Sequence, residues 1–298
     1  MTRLTHALSV DLVPADAMTA MKLRSVLDEV CAGNPSFGVS VGPVNEIVLF
    51  GVDELHLEMA VDRLRRQHSF DFTAGGLQVR YLERITTMIE WDYTHKKQTG
   101  GTGEYAKVRI RFEPGKPGSG FVFENAVRDG TIPAVFVPAV EGGLRAEKER
   151  GAIAGFPVID LKCTLIDGGY HDVDSSERTF DIAARACFRE ATPKAHPRRI
   201  EPIMHVMVLT PEDYIGAVVG DLNSRYGVVR SMEARGEMQE ITALVPCASL
   251  FGYQNSLSVM THGSAQHMMA FDHYETMPPM CGPNDGGDTF PPAIGMRA

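Results

Sequence analysis

The two ends of the chain carry the same order of hydrophobic patterns, and this repeat limits the fold more than any other feature. Near the start, "ALSVDLVP" alternates with Leu8, Val10 and Leu12 on one side, which predicts a strand. "ADAMTAMKLRSVLDEVCAG" then reads as a helix with Met18, Met21, Val26 and Val30 on its apolar side. "FGVSV" and "NEIVLFG" read as a strand pair. "DELHLEMAVDRLRRQH" reads as a second helix, with Leu57, Val61 and Leu64 spaced to share one face. "LQVRYLERI" closes the unit as a last strand, giving β-α-β-β-α-β, a ferredoxin-like order. The order returns in "IMHVMVLT", "PEDYIGAVVGDLNSRYG", "VVRSMEARG", "MQEITALVP", "ASLFGYQNSLSVMTHG" and "AQHMMAFDHYE". There Pro211 sits in the first turn of the leading helix and Gly227 just past its end.

Between the two modules lies a different segment, with strands at "YAKVRIRFEP" and "VIDLKCTLIDG" and helices at "PAVFVPAVEGGLRAEKERG" and "SERTFDIAARACFREAT". The fold class is therefore α+β, divided at 1–86, 87–200 and 201–278. The Gly- and Pro-rich remainder, 279–298, is expected to be a disordered tail. No apolar run approaches the ~18 residues a membrane span needs. His6 and Asp11 break the stretch that a signal peptide would require, so a cytoplasmic protein is expected. The five cysteines are scattered without a CxxC pair, which argues against a disulfide framework or a zinc site.

The net charge is -9, but it is unevenly spread: 8 basic and 11 acidic residues in 1–86, 17 and 16 in 87–200, 3 and 9 in 201–278. If the chain touches nucleic acid, the middle segment is where it does so.

Several short motifs fail on their context. "GTGEYA" satisfies GxGxx(G/A), yet the residues after it have the alternation of a strand rather than the period of a helix, so it reads as a glycine hairpin tip. The basic residues beside it, Lys96, Lys97, Lys107 and Arg109, form either a solvated face or an RNA-facing one. "HLE" with Pro246 and Cys247 lacks the second cysteine of a zinc deaminase, whose place is taken by Leu250. No phosphate-binding GxxxxGK[ST] and no NKxD are present, so no nucleotide hydrolysis, and no cofactor, is expected of this chain.

The stretch "GGYHDVDSSE", 168–177, concentrates polar groups between a glycine pair and a helix. Asp174 and Glu177 have the spacing of N-cap and N3 in a capping box, with Ser175 and Ser176 beside them. His171 and Asp172 remain at an exposed tip. They lack a third local metal ligand, and adjacency in sequence does not assemble a nucleophilic triad. The reading left is recognition: Gly168, Gly169, Tyr170, His171 and Asp172, with the hydroxyls at the helix N-terminus, can hydrogen-bond to ribose hydroxyls and phosphates.

The motifs "DELHLEMAVDRLRR", "HKKQTGGTGEYAKV", "IPAVFVPAVEGGL", "AGFPVIDLKCTLIDGGYHDVDSSERTFDIAARACF", "EPIMHVMVLTPEDYIGAVVGDLNSRYG" and "FGYQNSLSVMTHGSA" occur in an order that resembles the C-terminal half of bacterial translation elongation factor G. The resemblance implies domains III, IV and V of that family, the middle one a ribosomal-protein-like α+β arm. It implies a partner, the ribosome. The resemblance further implies that the arm's tip, with His171 on one loop and "QTGGTGE", including Gly100, Gly101, Thr102 and Gly103, on the other, would meet tRNA and mRNA at the decoding centre, and that the last domain would lie near the sarcin-ricin loop. Because the resemblance starts at domain III, we expect the family's GTP and Mg to belong to a domain outside this chain. Thr102 stands where many members carry Arg, and Ser258, Ser264 and Gln266 stand where basic residues are expected, which weakens phosphate contact. A ribosomal protection or regulatory ribosome-binding role, and a module docking a separate GTPase subunit, are the alternative expectations.

Overall fold

In the computed structural model the described residues are 6–41, 46–68, 70–98, 103–128 and 130–276. They divide into two compact units, one formed by residues up to 80 together with 201–275, the other by 81–200. The expected tail, 279–298, lies outside the described residues.

The first unit opens with β1 (Leu8–Pro14), α1 (Ala17–Gly33), β2 (Gly38–Val41), β3 (Ile47–Gly51), α2 (Glu54–His68) and β4 (Phe72–Val79). The strands form one sheet in the order β2-β3-β1-β4, with antiparallel pairing throughout. This is the ferredoxin-like arrangement that the alternation foresees. Leu8, Val10 and Leu12 are buried, as are Leu57, Val61 and Leu64 of α2 and Leu23 and Leu27 of α1. The face expected for α1 is corrected here: Met18 and Met21 are 67% and 77% exposed, and the buried pair is Leu23 and Leu27, one turn apart. Asp16 caps this helix, accepting the Thr19 N–H at 2.7 Å.

The strand expected over "LQVRYLERI" is two strands. β4 ends at Val79, and β5 (Leu82–Arg84) pairs elsewhere, with Arg198–Ile200. Glu83 explains the break. Its side chain is fully buried and accepts the N–H groups of Ala152 at 2.6 Å, Ile153 at 2.9 Å, Ala154 at 2.8 Å and Phe156 at 3.2 Å. A carboxylate buried among four donors is stable only where those donors converge, so this position is held by the 151–156 loop rather than by the first sheet.

The second unit continues with β6 (Ile89–Lys97), β7 (Glu104–Pro114), β8 (Phe121–Asn125), α3 (Val137–Glu147), β9 (Leu161–Gly169) and α4 (Glu177–Ala191). Its sheet runs β6-β7-β9-β8, antiparallel except for the β8–β9 pair. The parallel pair is joined through α3, as parallel strands require a crossover. Both helices cover one face. α4 buries Phe180, Ala183, Ala184, Cys187, Phe188 and Ala191, and Phe188 meets Phe112 of β7 edge-on with centroids 5.9 Å apart.

The chain then returns to the first unit through β10 (Arg198–Pro211), α5 (Ile215–Ser224), β11 (Val228–Arg235), β12 (Met238–Pro246), α6 (Tyr253–Met260) and β13 (Gln266–Thr276). The sheet order β11-β12-β10-β13 repeats the ferredoxin-like pattern. Within this unit the modules touch through the Gly252 N–H, which donates to Glu54 Oε2 at 3.2 Å. Cys163, Cys187 and Cys247 are buried free thiols whose ionisation burial pushes well up, so they act as small apolar groups. None of the described helices is long and apolar enough to cross a membrane.

Candidate functional site

Two loops meet at one end of the middle sheet. The first links β6 to β7 and is closed by the Lys97–Glu104 pair of the hairpin. The second leaves β9 after Gly169 and enters α4 at Glu177. The ladder sets Gly168 opposite Val108 and Gly169 opposite Lys107, so the second loop springs from beside the hairpin's end. Gly168 is required there: a Cβ would lie 2.3 Å from the Lys107 carbonyl oxygen and 2.5 Å from Ile132 Cδ1.

The loops are laced together by hydrogen bonds. The Asp174 carbonyl accepts the Tyr105 N–H at 2.8 Å, and Asp174 Oδ1 accepts the Gly103 N–H at 2.9 Å. Ser175 Oγ donates to the Tyr105 carbonyl at 2.7 Å and accepts the His171 N–H at 2.9 Å. The Ser175 N–H in turn donates to the His171 carbonyl at 3.1 Å. Backbone groups that a lone loop would leave to water are satisfied across the pair.

His171 projects from this base, with 57% of its side chain exposed. Its Nδ1 accepts from the Val173 and Asp174 N–H groups, each at 3.3 Å, and lies 3.3 Å from Asp174 Oδ2. Nδ1 is thus engaged by the loop's own backbone and by Asp174, while Nε2 makes no hydrogen bond among the described residues. Tyr170, Asp172 and Val173 are exposed beside it, while Gly168 and Gly169 are partly covered. A cleft of about 280 Å³ lies between the loops, lined in part by Lys96, Lys97, Glu104, Tyr105, His171 and Asp174.

The capping assignment is corrected. The N-cap of α4 is Ser176, whose Oγ accepts the Thr179 N–H at 3.2 Å while Thr179 Oγ1 accepts the Ser176 N–H at 2.8 Å. Ser-x-x-Thr thus makes the reciprocal pair expected of Asp174 and Glu177. Glu177 is the first helical residue, and the Asp174 carboxylate, two positions before the cap, serves the other loop instead. Ser175 likewise bonds across the loops and does not cap.

Of the basic candidates, Lys96 and Lys97 are exposed and Lys107 is half-buried. Arg109 differs: its Nη2 lies 3.0 Å from Glu90 Oε2 and its Nε 3.9 Å from Asp92 Oδ2. Arg111 holds the other Glu90 oxygen at 2.6 Å. Arg111 first, and Arg109 after it, hold the Glu90 carboxyl below its ordinary range. Of the two readings left open for the basic row, Arg109 belongs to an ion-paired ladder. Gly100, Gly101 and Thr102 lie outside the described residues.

Sequence reasoning missed β6, and with it His95, whose Nε2 meets Glu104 Oε2 at 3.0 Å. That hydrogen bond is the chief cause holding the Glu104 carboxyl below its usual range. The signal was present: Ile89, Trp91, Tyr93 and His95 alternate with Glu90, Asp92, Thr94 and Lys96. Ser175 Oγ bonds to backbone and not to the His171 ring, so no nucleophilic triad is assembled. Among the described residues, no group of three His, Cys, Asp or Glu side chains could hold a metal ion. The arrangement offers an imidazole, ammonium groups and carboxylate acceptors on a braced surface, suited to hydrogen bonding rather than bond breaking.

Fold and site together define an α+β protein with two ferredoxin-like modules and a middle unit that presents a pair of loops joined by hydrogen bonds. Comparison with known families matches three portions of the chain: residues 5–76 match the model of elongation factor G domain III, residues 77–196 that of domain IV, and residues 198–281 that of the elongation factor G C-terminus. The chain belongs to the elongation factor G family, through these three portions. A crystal structure of a protein from Thermus thermophilus is similar at 34% identity and a TM-score of 0.69, over 92% of this chain. The chain spans 41% of the length of that protein.

Proposed function

We propose that this chain is a ribosome-binding module of translation elongation whose paired loops read RNA geometry around the tRNA and mRNA of the decoding centre. The observation that carries the reading is the lacing of the loops through Asp174 and Ser175, which holds an exposed His171 beside Lys96 and Lys97. Such a surface donates hydrogen bonds to phosphates and 2'-hydroxyls without reading base identity. Family membership supports the ribosome as partner. In this reading the chain does no bond-breaking chemistry, and GTP with Mg acts on a different portion of the family's architecture.

The test is co-sedimentation of the purified chain with bacterial ribosomes across a salt series, with His171→Ala beside it. The reading expects pelleting that salt releases, because phosphate contacts by Lys96 and Lys97 displace counterions. It also expects weaker pelleting of the variant. A chain that stays in the supernatant at low salt would overturn it.

A further inference from the structure

The seam between α3 and α4 holds a charge cluster that the loop site does not use. Glu147, the last residue of α3, is 2% exposed, and its Oε2 accepts no hydrogen bond among the described residues. Three guanidinium groups surround it beyond hydrogen-bond length: Arg189 Nε at 3.6 Å, Arg185 Nη1 at 3.8 Å and Arg150 Nη1 at 3.9 Å. Arg150 comes from the one-turn helix Lys148–Arg150 that continues α3, and the other two stand one turn apart on α4.

The three are not equivalent. Arg185 has its fork on Asp181, donating at 2.8 Å and 3.0 Å. The Arg150 and Arg189 side chains donate no hydrogen bond among the described residues and are 69% and 56% exposed. A helix C-terminus favours a cation, which accounts for Arg189 in the last turn of α4 but not for three guanidinium groups around one carboxylate. Their mutual repulsion is offset only in part, since two carboxylates, Glu147 and Asp181, face three cations. The neighbouring charges leave that balance unchanged. Arg145 pairs with Glu141 at 2.7 Å, and Lys148 pairs with Glu149. Glu190, next to Arg189, accepts the Trp91 indole N–H at 3.1 Å, and Lys194 lies over the same ring.

The buried carboxylate thus gathers the arginines, and the exposed forks of Arg150 and Arg189 remain for an acceptor with more than one oxygen. A phosphate group fits this chemistry, because a guanidinium presents paired donors to its oxygens and stays charged.

We propose that Arg150 and Arg189 bind a phosphate of RNA backbone on the helical face of the middle unit, as a second contact beside the loops. The proposal rests on the ribosome reading above, since ribosomal RNA is the source of that phosphate. Arg189 lies about 18 Å along α4 from Glu177 at the loop end, so the contact falls on backbone bordering the stretch that the loops would meet. The test compares the unsubstituted chain with Arg150→Gln/Arg189→Gln and with Arg150→Lys/Arg189→Lys. Each is followed by thermal unfolding, by ribosome co-sedimentation across a salt series, and by hydroxyl-radical footprinting of the ribosomal RNA. The glutamine variant should pellet about tenfold more weakly at low salt, with a salt slope shallower by about 1 to 2, since each phosphate contact releases roughly one counterion. A backbone protection should vanish in that variant and persist in His171→Ala. The lysine variant keeps both charges beside Glu147, so it should keep the slope and pellet about threefold more weakly, because an ammonium lacks the fork. It carries the comparison if the glutamine variant melts several degrees lower. An unchanged slope in a folded glutamine variant, or a lysine variant that pellets as well as the unsubstituted chain, would overturn the proposal and leave the ribosome reading intact. A slope that falls while every RNA protection is retained would assign the arginines to a protein carboxylate and equally overturn it. If the unsubstituted chain itself fails to pellet, the ribosome reading falls and takes this proposal with it.

Discussion

Gly168, Asp174, Ser176 and His171 stand within nine positions of one another and do four different jobs. Gly168 lets two strands approach, so Gly168→Ala forces backbone apart and should cost about 1–3 kcal/mol, measured by chemical denaturation. Ser176→Ala removes a helix cap and should cost about 1 kcal/mol. Asp174→Ala should also destabilise, by about 1–2 kcal/mol, but through a different bond: it leaves the Gly103 N–H without its charged acceptor. Amide exchange separates the two, since only Asp174→Ala should speed exchange at Gly103 in the other loop. His171→Ala should change stability by less than about 0.5 kcal/mol, because the ring is largely exposed. At this scale the sequence was half legible. It showed that a capped helix comes after a polar tip, since Asp, Ser and Glu before an apolar run have that meaning. Which of two overlapping boxes caps it depends on where Gly103, 71 residues before Asp174, comes to rest, and no local pattern carries that.

Elements were legible where one face alone is buried. β1 and α2 follow their periodicity because a single stripe meets the core. α1 misled because Met18 and Met21 make a second apolar stripe, and only the sheet decides that Leu23 and Leu27 turn inward. β8 was missed because it is five residues long and preceded by Gly118 and Gly120, which read as loop. The ion pairs of the middle sheet support a pH prediction. Arg111 and Arg109 lower the Glu90 carboxyl, Lys162 lowers that of Glu124, and His95 lowers that of Glu104. A carboxyl whose folded value lies below its ordinary 4.5 contributes stability that is present above that value and is lost as pH falls through the folded one. The middle unit should therefore hold its melting temperature from neutrality to about pH 5 and lose it progressively below the ordinary carboxylate range. Glu90→Gln should flatten that acid limb. An acid limb of the same steepness in the variant would mean that the ladder contributes nothing.

For the molecule as a whole, the repeated ferredoxin-like order was the most readable feature, because a repeat is stated twice in the pattern and each copy checks the other. The joining of those repeats into one unit, with residues 81–200 as a second, was not readable, since it rests on contacts between segments far apart in the chain, such as Glu54 with Gly252. The proposed function rests on the second unit: a braced pair of loops carrying an exposed imidazole, in a chain of net charge -9 whose basic residues are concentrated between 87 and 200. The measurement that tests this most directly is chemical probing of small-subunit RNA with saturating chain, comparing the unsubstituted protein with Asp174→Ala. The account predicts protections confined to the decoding centre that weaken when the loops are unlaced. Protections that lie elsewhere, or that survive Asp174→Ala unchanged, would contradict it.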